Sequence, residues 1–278
     1  MNPIWLENTV RAALHEDIGY GDITTEAIVP PEAKATAKII AKATGCIAGN
    51  DAAKLAFQLL DNQINYQVVA TDGSEVVHGD MVARITGSAA AILSGERVAL
   101  NFMQRMSGTA TATRQAVKAA APYGTRIVDT RKTTPGLRAL EKYAVRVGGG
   151  LNHRIGLDDA VLIKENHIAV AGGIVPAVER VRARVGHMVK LEVEVEHFDQ
   201  IDEALQAGVD AILLDNMDPA TMRRAVLHIN KRVIVEASGS ISPDQIAEVA
   251  ATGVDIISMG RLTHSSPALD LSLLIEID

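Results

Sequence analysis

Between Arg126 and Ser258 the chain repeats one pattern, a short run of β-branched and apolar residues followed by a segment with helical spacing. That alternation commits it to a parallel sheet covered by helices. Six runs stand out: Arg126 to Asp129, Ala160 to Ile163, Val189 to Glu194, Ala211 to Leu214, Arg232 to Val235 and Asp255 to Ser258. Between them Met222, Ala225, Val226 and Ile229 share a helix face, as do Ile246, Val249 and Ala250. Asp218-Pro219 and Ser242-Pro243 read as N-caps followed by proline at the first helical position, and Gly208 and Gly253 sit where helices should stop. A short internal repeat, Ala-Gly-Val-Asp-Ala-Ile at Ala207 to Ile212, is echoed by Thr-Gly-Val-Asp-Ile-Ile at Thr252 to Ile257. Such repeated units make a barrel or an open wound sheet.

The residues before this pattern read differently. From Ile4 to Glu16, Leu6, Val10, Ala13 and Leu14 recur at helical spacing, and Gly19 to Thr25 breaks off into a loop. Extended stretches follow at Ala35 to Ala41, Asn65 to Ala70 and Met81 to Thr86, with a helical stretch from Ala52 to Leu60 among them. They make a small α+β domain. A long helix should then run from Ala89 to Ala119, burying Ile92, Ala99, Met103 and Met106 and turning Arg97, Asn101 and Arg105 the other way.

With 278 residues, 47% of them hydrophobic, the chain can bury one large core or a large and a smaller one. Its longest stretch without Asp, Glu, Lys or Arg, Asn166 to Val178, falls far short of the roughly 20 residues that span a bilayer. The first residues lack the basic start and apolar core of a secretion signal, and Cys46 has no second cysteine to pair with. A cytoplasmic enzyme is expected, with no membrane partner. A formal charge of -7 also argues against nucleic acid, so any anionic ligand must be drawn by a local basic site.

If the βα units close into a barrel, ligand groups belong at the carboxyl ends of the strands. The charged motifs lie there: Asp129-Thr130-Arg131-Lys132, Lys164-Glu165-Asn166-His167, Glu192, Glu194 and Glu196, Asp215-Asn216, Glu236-Ala237-Ser238-Gly239-Ser240, and Ser258-Met259-Gly260-Arg261. Arg131, Lys132 and Lys164 suit a small polyanion, because arginine grips carboxylate and phosphate with two hydrogen bonds and lysine adds a point charge. Arg138 and Arg146 are assigned instead to the solvated side of a helix packed through Leu137, Leu140, Ala144 and Val147. In Leu191 to Glu196 strand alternation sends three glutamates to one face. They belong either to a lysine-paired strand or to a magnesium or ribose site, and Glu194 with Asp215, each at a strand end, favours the second.

Ser238-Gly239-Ser240 and Met259-Gly260 offer backbone amides for phosphate, whereas Gly148 to Gly150 reads equally as a phosphate loop or a helix stop. The sequence holds no dinucleotide fingerprint, Walker loop, His-Glu-x-x-His or cysteine pair, and His153 and His167 stand isolated.

Three blocks, Asp129 to Arg138, Gly148 to Arg154 and Leu162 to His167, resemble the quinolinate phosphoribosyltransferase family. The likeness extends from Glu16-Asp17 and Gly21 to Thr25, through Gly95-Glu96-Arg97, to Glu192-Val193-Glu194, Leu214-Asp215-Asn216 and Ser238-Gly239. It implies a type II phosphoribosyltransferase-like fold, an N-terminal α/β sandwich (residues 1–107, joined by a returning tail at 268–278) with an incomplete α/β barrel of six or seven parallel strands (108–267). The implied activity couples phosphoribosyl pyrophosphate to quinolinate with loss of carbon dioxide, giving nicotinate mononucleotide in NAD biosynthesis.

The resemblance also implies residue roles. Quinolinate's carboxylates would be held by Arg131, Arg154 and Lys164 with Thr130 and His153, and by Arg97 from a second subunit of a homodimer, higher assembly being left open. Lys132 would act near the ribose and pyrophosphate, and Glu194 and Asp215 would face the ribose and Mg2+, directly or through water. Ser238, Gly239, Ser240, Ser258, Met259, Gly260 and His264 would surround the 5'-phosphate. A sister enzyme acting on nicotinate, a homologue associated with molybdenum transport, and an anion-binding barrel without activity are the rivals. The density of cations favours a dicarboxylate.

Overall fold

The computed structural model describes residues 1–277, and Asp278, the end of the expected returning tail, lies outside the described residues. In chain order the elements are α1 (Pro3–Ile18), α2 (Ile23–Ile28), β1 (Lys34–Ala41), β2 (Gly45–Cys46), α3 (Asn50–Gln58), β3 (Asn65–Val68), β4 (Glu75–Val76), β5 (Met81–Ser88) and α4 (Ala89–Ala120). There follow β6 (Arg126–Val128), α5 (Arg138–Val147), β7 (Val161–Ile163), α6 (Glu165–Ala171), α7 (Ile174–Arg182), β8 (Leu191–Val195), α8 (Gln200–Gln206) and β9 (Ala211–Asp215). The chain ends with α9 (Pro219–Ile229), β10 (Ile234–Ser238), α10 (Ile246–Ala250), β11 (Ile256–Ser258), α11 (Arg261–His264) and β12 (Leu271–Ile277). Two compact units result: Met1–Arg114 with Thr133–Gly149 and Leu262–Asp278, and Gln115–Lys132 with Gly150–Arg261.

The first unit is built on a four-stranded antiparallel sheet in the order β12-β1-β5-β3. Along β1 the period of two puts Ala35, Ala37, Ile39 and Ala41 into the core. The expected stripe of α4, Ile92, Ala99, Met103 and Met106, is buried in the same core, as are Leu6, Val10 and Leu14 of α1. Helix α1 starts where Asn2 Oδ1 accepts the Ile4 amide at 3.0 Å, with Pro3 behind it. Part of the stretch expected as a loop is helical, because Asp22 caps α2 by accepting the Thr25 amide at 3.0 Å and its hydroxyl at 2.6 Å. The tail returns as β12, paired along β1 from Ala41↔Leu271 to Ala35↔Ile277.

Within the first compact unit, residues 108–114 and 133–149 pack with the N-terminal elements, because Leu140 and Ala144 of α5 sink into the core that holds Ile92 and Met103. Residues 262–267 join it as well, and Gln104 Nε2 of α4 donates to Leu271 O at 2.8 Å. At the end of α5 a side chain on Gly148 would sit 2.6 Å from Ala110 O, so that glycine permits a close helix approach. Helix α5 does stop at this glycine run. Of the two arginines assigned to solvent, Arg146 is exposed, but Arg138 is half-buried with Nε donating to Thr133 Oγ1 at 2.9 Å. Arg105 is not a free surface cation either: its Nη2 lies 2.8 Å from the fully buried Glu141 and also donates to Thr263 O.

The second unit is a six-stranded parallel sheet in the order β6-β11-β10-β9-β8-β7. Among the described residues β6 does not pair with β7, and Leu151 instead bridges Val128 in parallel, so the sheet is an incomplete α/β barrel. Its helices start as the sequence indicated, with Asp218 Oδ1 accepting the Ala220 and Thr221 amides at 2.9 and 3.0 Å. Strand β10 begins later than expected. Arg232 is turned to the end of α9, giving hydrogen bonds to Ile229 O and His228 O at 2.9 and 2.8 Å, while Asn230 and Lys231 adopt positive φ. Glu236 consequently lies inside the strand rather than in the loop after it.

Candidate active site

Parallel strands bring all their carboxyl ends to one rim, and the second unit carries most of the sequence-assigned residues there. At the end of β6, Asp129 is fully buried. Its carboxylate accepts Asn152 Nδ2 at 2.6 Å and the His153 amide at 2.9 Å, which draws the segment 152–154 onto this strand end. Thr130 Oγ1 accepts the Lys132 amide at 3.0 Å, shaping a turn that leaves Lys132 exposed and Arg131 half-buried. Burial, and then the nearby Arg131 charge, push the Arg154 guanidinium below its ordinary pKa. Two arginines close enough to oppose one another are best relieved by an anion that both can grip.

On β8, Leu191, Val193 and Val195 bury one face, and Glu192 and Glu194 occupy the other. The third glutamate, Glu196, lies beyond the strand and is exposed, its amide bonded to Gln200 Oε1 at 2.8 Å. Glu194 Oε2 receives Lys164 Nζ at 2.6 Å. Burial raises the Glu194 pKa, Lys164 opposes the rise, and Asp215 adds to it. Asp215, at the end of β9, is half-buried and accepts Asn216 Nδ2 at 2.7 Å. It stands in register with Ser238 of β10. Gly239, with φ 130°, lies so close to Asn216 that no side chain would fit, and Ser240 is exposed.

Not every assigned residue presents itself to this rim. Ser258 is buried, and the Met259 amide is committed to Val128 O at 3.0 Å, so neither is simply offered to a phosphate. Gly260 follows them, half-buried. Arg97, exposed on α4, and His264, exposed with Nδ1 2.5 Å from Ser265 Oγ, belong to the first unit.

The sequence reading left His153 isolated and passed over its partners. Nε2 lies 3.0 Å from Glu192 Oε2 and 3.6 Å from Glu236 Oε1, while Nδ1 accepts the Arg154 amide at 2.8 Å. Glu236 is buried, and its carboxyl is pushed up to about 7 by burial and then by the Glu192 charge, against the pull of His153 and Ser258. Asp129, Glu192 and Glu236, placed by the sequence among the strand-end charges but given no role there, thus join the site through these contacts. A carboxylate inside the apolar run Val233 to Ala237 was the signal available for the last of them.

Comparison with known proteins gives a consistent picture. Residues 22–107 match the family model of the quinolinate phosphoribosyl transferase N-terminal domain, and residues 109–274 match that of its C-terminal domain. A probable nicotinate-nucleotide pyrophosphorylase (carboxylating) of Bacillus subtilis is 46% identical over 273 residues, covering 98% of this chain and 94% of that protein. One of Synechocystis is likewise 46% identical over 278 residues, covering 98% and 94%. The solved structure of the nicotinate-nucleotide pyrophosphorylase from Francisella tularensis superposes with a TM-score of 0.95 at 40% identity, covering 99% of this chain and 98% of that one.

Proposed function

Because the chain belongs to the quinolinate phosphoribosyltransferase family, we propose that the rim of its parallel sheet carries out that family's reaction with the residues described above. The reaction transfers phosphoribosyl from phosphoribosyl pyrophosphate to quinolinate with decarboxylation, giving nicotinate mononucleotide, pyrophosphate and carbon dioxide. The observation that carries the residue assignment is the gathering of Arg131, Arg154 and Lys164 with Glu194 and Asp215 at the strand ends of the parallel sheet, where Lys164 Nζ lies 2.6 Å from Glu194 Oε2. Cations this close suit a ligand with two carboxylates.

Arg131, Arg154 and Lys164 hold the pyridine dicarboxylate, with Thr130 shaping the turn beneath it. Glu194 and Asp215 face the ribose, where their negative charge stabilises the oxocarbenium character that develops as pyrophosphate leaves. Lys132, long and exposed, meets the departing phosphates. Attack by the pyridine nitrogen makes it cationic; when the adjacent carboxylate departs as carbon dioxide, the electron pair of the broken C–C bond stays on the ring carbon, stabilised by the neighbouring positive nitrogen, and that carbon then takes a proton from water. No separate electron sink is required.

Glu194 and Asp215 also fit a divalent cation: they are two carboxylates at neighbouring strand ends, Asp215 adds to the rise of the Glu194 pKa, and hard oxygen donors are what magnesium takes. Bound with the pyrophosphate substrate, magnesium would neutralise leaving-group charge. The phosphate is assigned to Ser238, Gly239, Ser240 and Gly260, with His264, Ser258 and Met259 in supporting positions. The protein works as a homodimer in which the exposed Arg97 completes the neighbouring pocket, and it is placed in the cytoplasm. Among the described residues no helix is long and apolar enough to cross a membrane.

The test is incubation with phosphoribosyl pyrophosphate, magnesium and either quinolinate or nicotinate, followed by product mass. Nicotinate mononucleotide should form efficiently from quinolinate alone, since a site this cationic is satisfied only when both carboxylates fill it. Equal turnover of nicotinate would overturn the substrate assignment.

A further inference from the structure

In the proposed dicarboxylate pocket, both ring nitrogens of His153 are engaged by the protein itself. The amide of Arg154 donates to Nδ1 at 2.8 Å, which fixes Nδ1 as an acceptor and places the ring proton on Nε2. That proton faces Glu192 Oε2 at 3.0 Å, with Glu236 Oε1 at 3.6 Å. Below the ring, Asp129 holds the His153 amide at 2.9 Å. The imidazole is therefore clamped at its backbone, at Nε2 and at Nδ1, and the third of these clamps is the backbone of Arg154.

His153, Glu192 and Glu236 could be read as a cation site, their ligand atoms lying within 4.8 Å of one another. The tautomer argues against it, because a metal at Nε2 needs the lone pair that the proton occupies while Nδ1 is accepting an N–H. The alternative is orientation. We propose that Glu192, supported by Glu236, is a positioning residue for quinolinate: by fixing the tautomer and rotation of His153 it sets the point from which the Arg154 side chain reaches the substrate. Glu236, buried and with Oε1 without another hydrogen-bond partner, sets a second carboxylate oxygen 3.6 Å from the same Nε2. This deepens the functional reading above and rests on its assignment of Arg154 to quinolinate.

The experiment compares Glu192→Leu, Glu192→Gln and Arg154→Ala in the full-length enzyme by steady-state kinetics for both substrates. The expected result for Glu192→Leu is a rise of about tenfold in the KM for quinolinate, the scale of a small misplacement of a binding group, with kcat and the KM for phosphoribosyl pyrophosphate little changed. Glu192→Gln should restore binding, because its amide oxygen still accepts the Nε2 proton. Imidazole 15N spectra should show the Nε2–H tautomer of His153 in the wild type and in Glu192→Gln, and a mixture in Glu192→Leu. If Glu192→Leu fails to fold, Glu192→Asp, which keeps the charge but withdraws the acceptor, must show the same selective rise. Wild-type quinolinate affinity in the leucine variant, an equal rise for both substrates, or an Nδ1–H tautomer in the wild type would overturn the proposal. Should Arg154→Ala itself leave quinolinate binding intact, the pocket assignment fails; a strong Arg154→Ala effect beside an innocuous Glu192→Leu removes only the positioning role.

Discussion

Lys164 Nζ and Glu194 Oε2 lie 2.6 Å apart at the ends of β7 and β8, so a cation assigned to quinolinate and a carboxylate assigned to the ribose neutralise each other before either substrate arrives. The lysine pairing expected of the Glu-x-Glu-x-Glu strand is thus present at Glu194. Under the proposed assignment, quinolinate and the ribose would each draw on one member of this pair.

From that contact a first prediction follows for the carboxylates. Glu194→Gln and Asp215→Asn should each lower kcat by roughly a hundredfold, the scale for losing one electrostatic stabiliser of a transition state. Their KM for quinolinate should change far less. Steady-state kinetics across magnesium concentrations check this, and wild-type turnover in both amides would remove the two residues from the ribose side.

A second prediction concerns pH and Glu236. Its carboxyl is raised from 4.5 to about 7, chiefly by burial. A carboxyl whose folded value exceeds its unfolded one contributes stability fully below the unfolded value and loses it as pH rises through the folded one. Relative to Glu236→Gln, the wild type should therefore weaken by about 1–3 kcal/mol between pH 4.5 and pH 7.5. Urea titrations at several pH values read the difference, and a parallel pH dependence in the two proteins would show that Glu236 titrates normally.

Much of this architecture was legible in the sequence because it is local. Alternating β-branched runs and Asx-Pro caps announce βα units, and the six expected strands all appear, with β10 displaced because Arg232 is recruited to the end of α9. The charges at strand ends were legible for the same reason. What could not be read was which groups meet across the sheet. Nothing in the spacing of His153, Glu192 and Glu236 brings an imidazole to two carboxylates. Likewise the stripe of α5 marked Leu140 and Ala144 as buried without saying that the core they enter is that of the first unit.

Stability of the first unit should depend on Arg105 and Glu141. Glu141 is fully buried and accepts from Arg105 Nε and Nη2 at 3.2 and 2.8 Å and from the Thr134 amide at 3.0 Å. Removing one partner strands the others, so Glu141→Ala should cost about 3–5 kcal/mol in urea unfolding. The double change Arg105→Met with Glu141→Leu should cost less than either single truncation, because no charge is left buried alone. A double variant as weak as the sum of the singles would contradict this.

The proposal that Arg97 completes a neighbouring subunit's site can be tested by complementation. Arg97→Ala and Arg154→Ala variants, each nearly inactive alone, should regain a fraction of wild-type activity when mixed under conditions that let subunits exchange. One pocket of the mixed dimer then lacks both arginines while the other is intact. No recovery despite confirmed exchange would place Arg97 with its own subunit's site, and a fully active Arg97→Ala protein would return it to the solvated surface.

The most direct measurement uses quinolinate carrying a carbon label in the carboxylate next to the ring nitrogen, supplied with phosphoribosyl pyrophosphate and magnesium. Labelled carbon dioxide should appear in step with pyrophosphate and nicotinate mononucleotide, one of each per turnover, and should not appear when phosphoribosyl pyrophosphate is withheld. Pyrophosphate release without labelled carbon dioxide, or a nucleotide product that retains the label, would contradict decarboxylating transfer at this site.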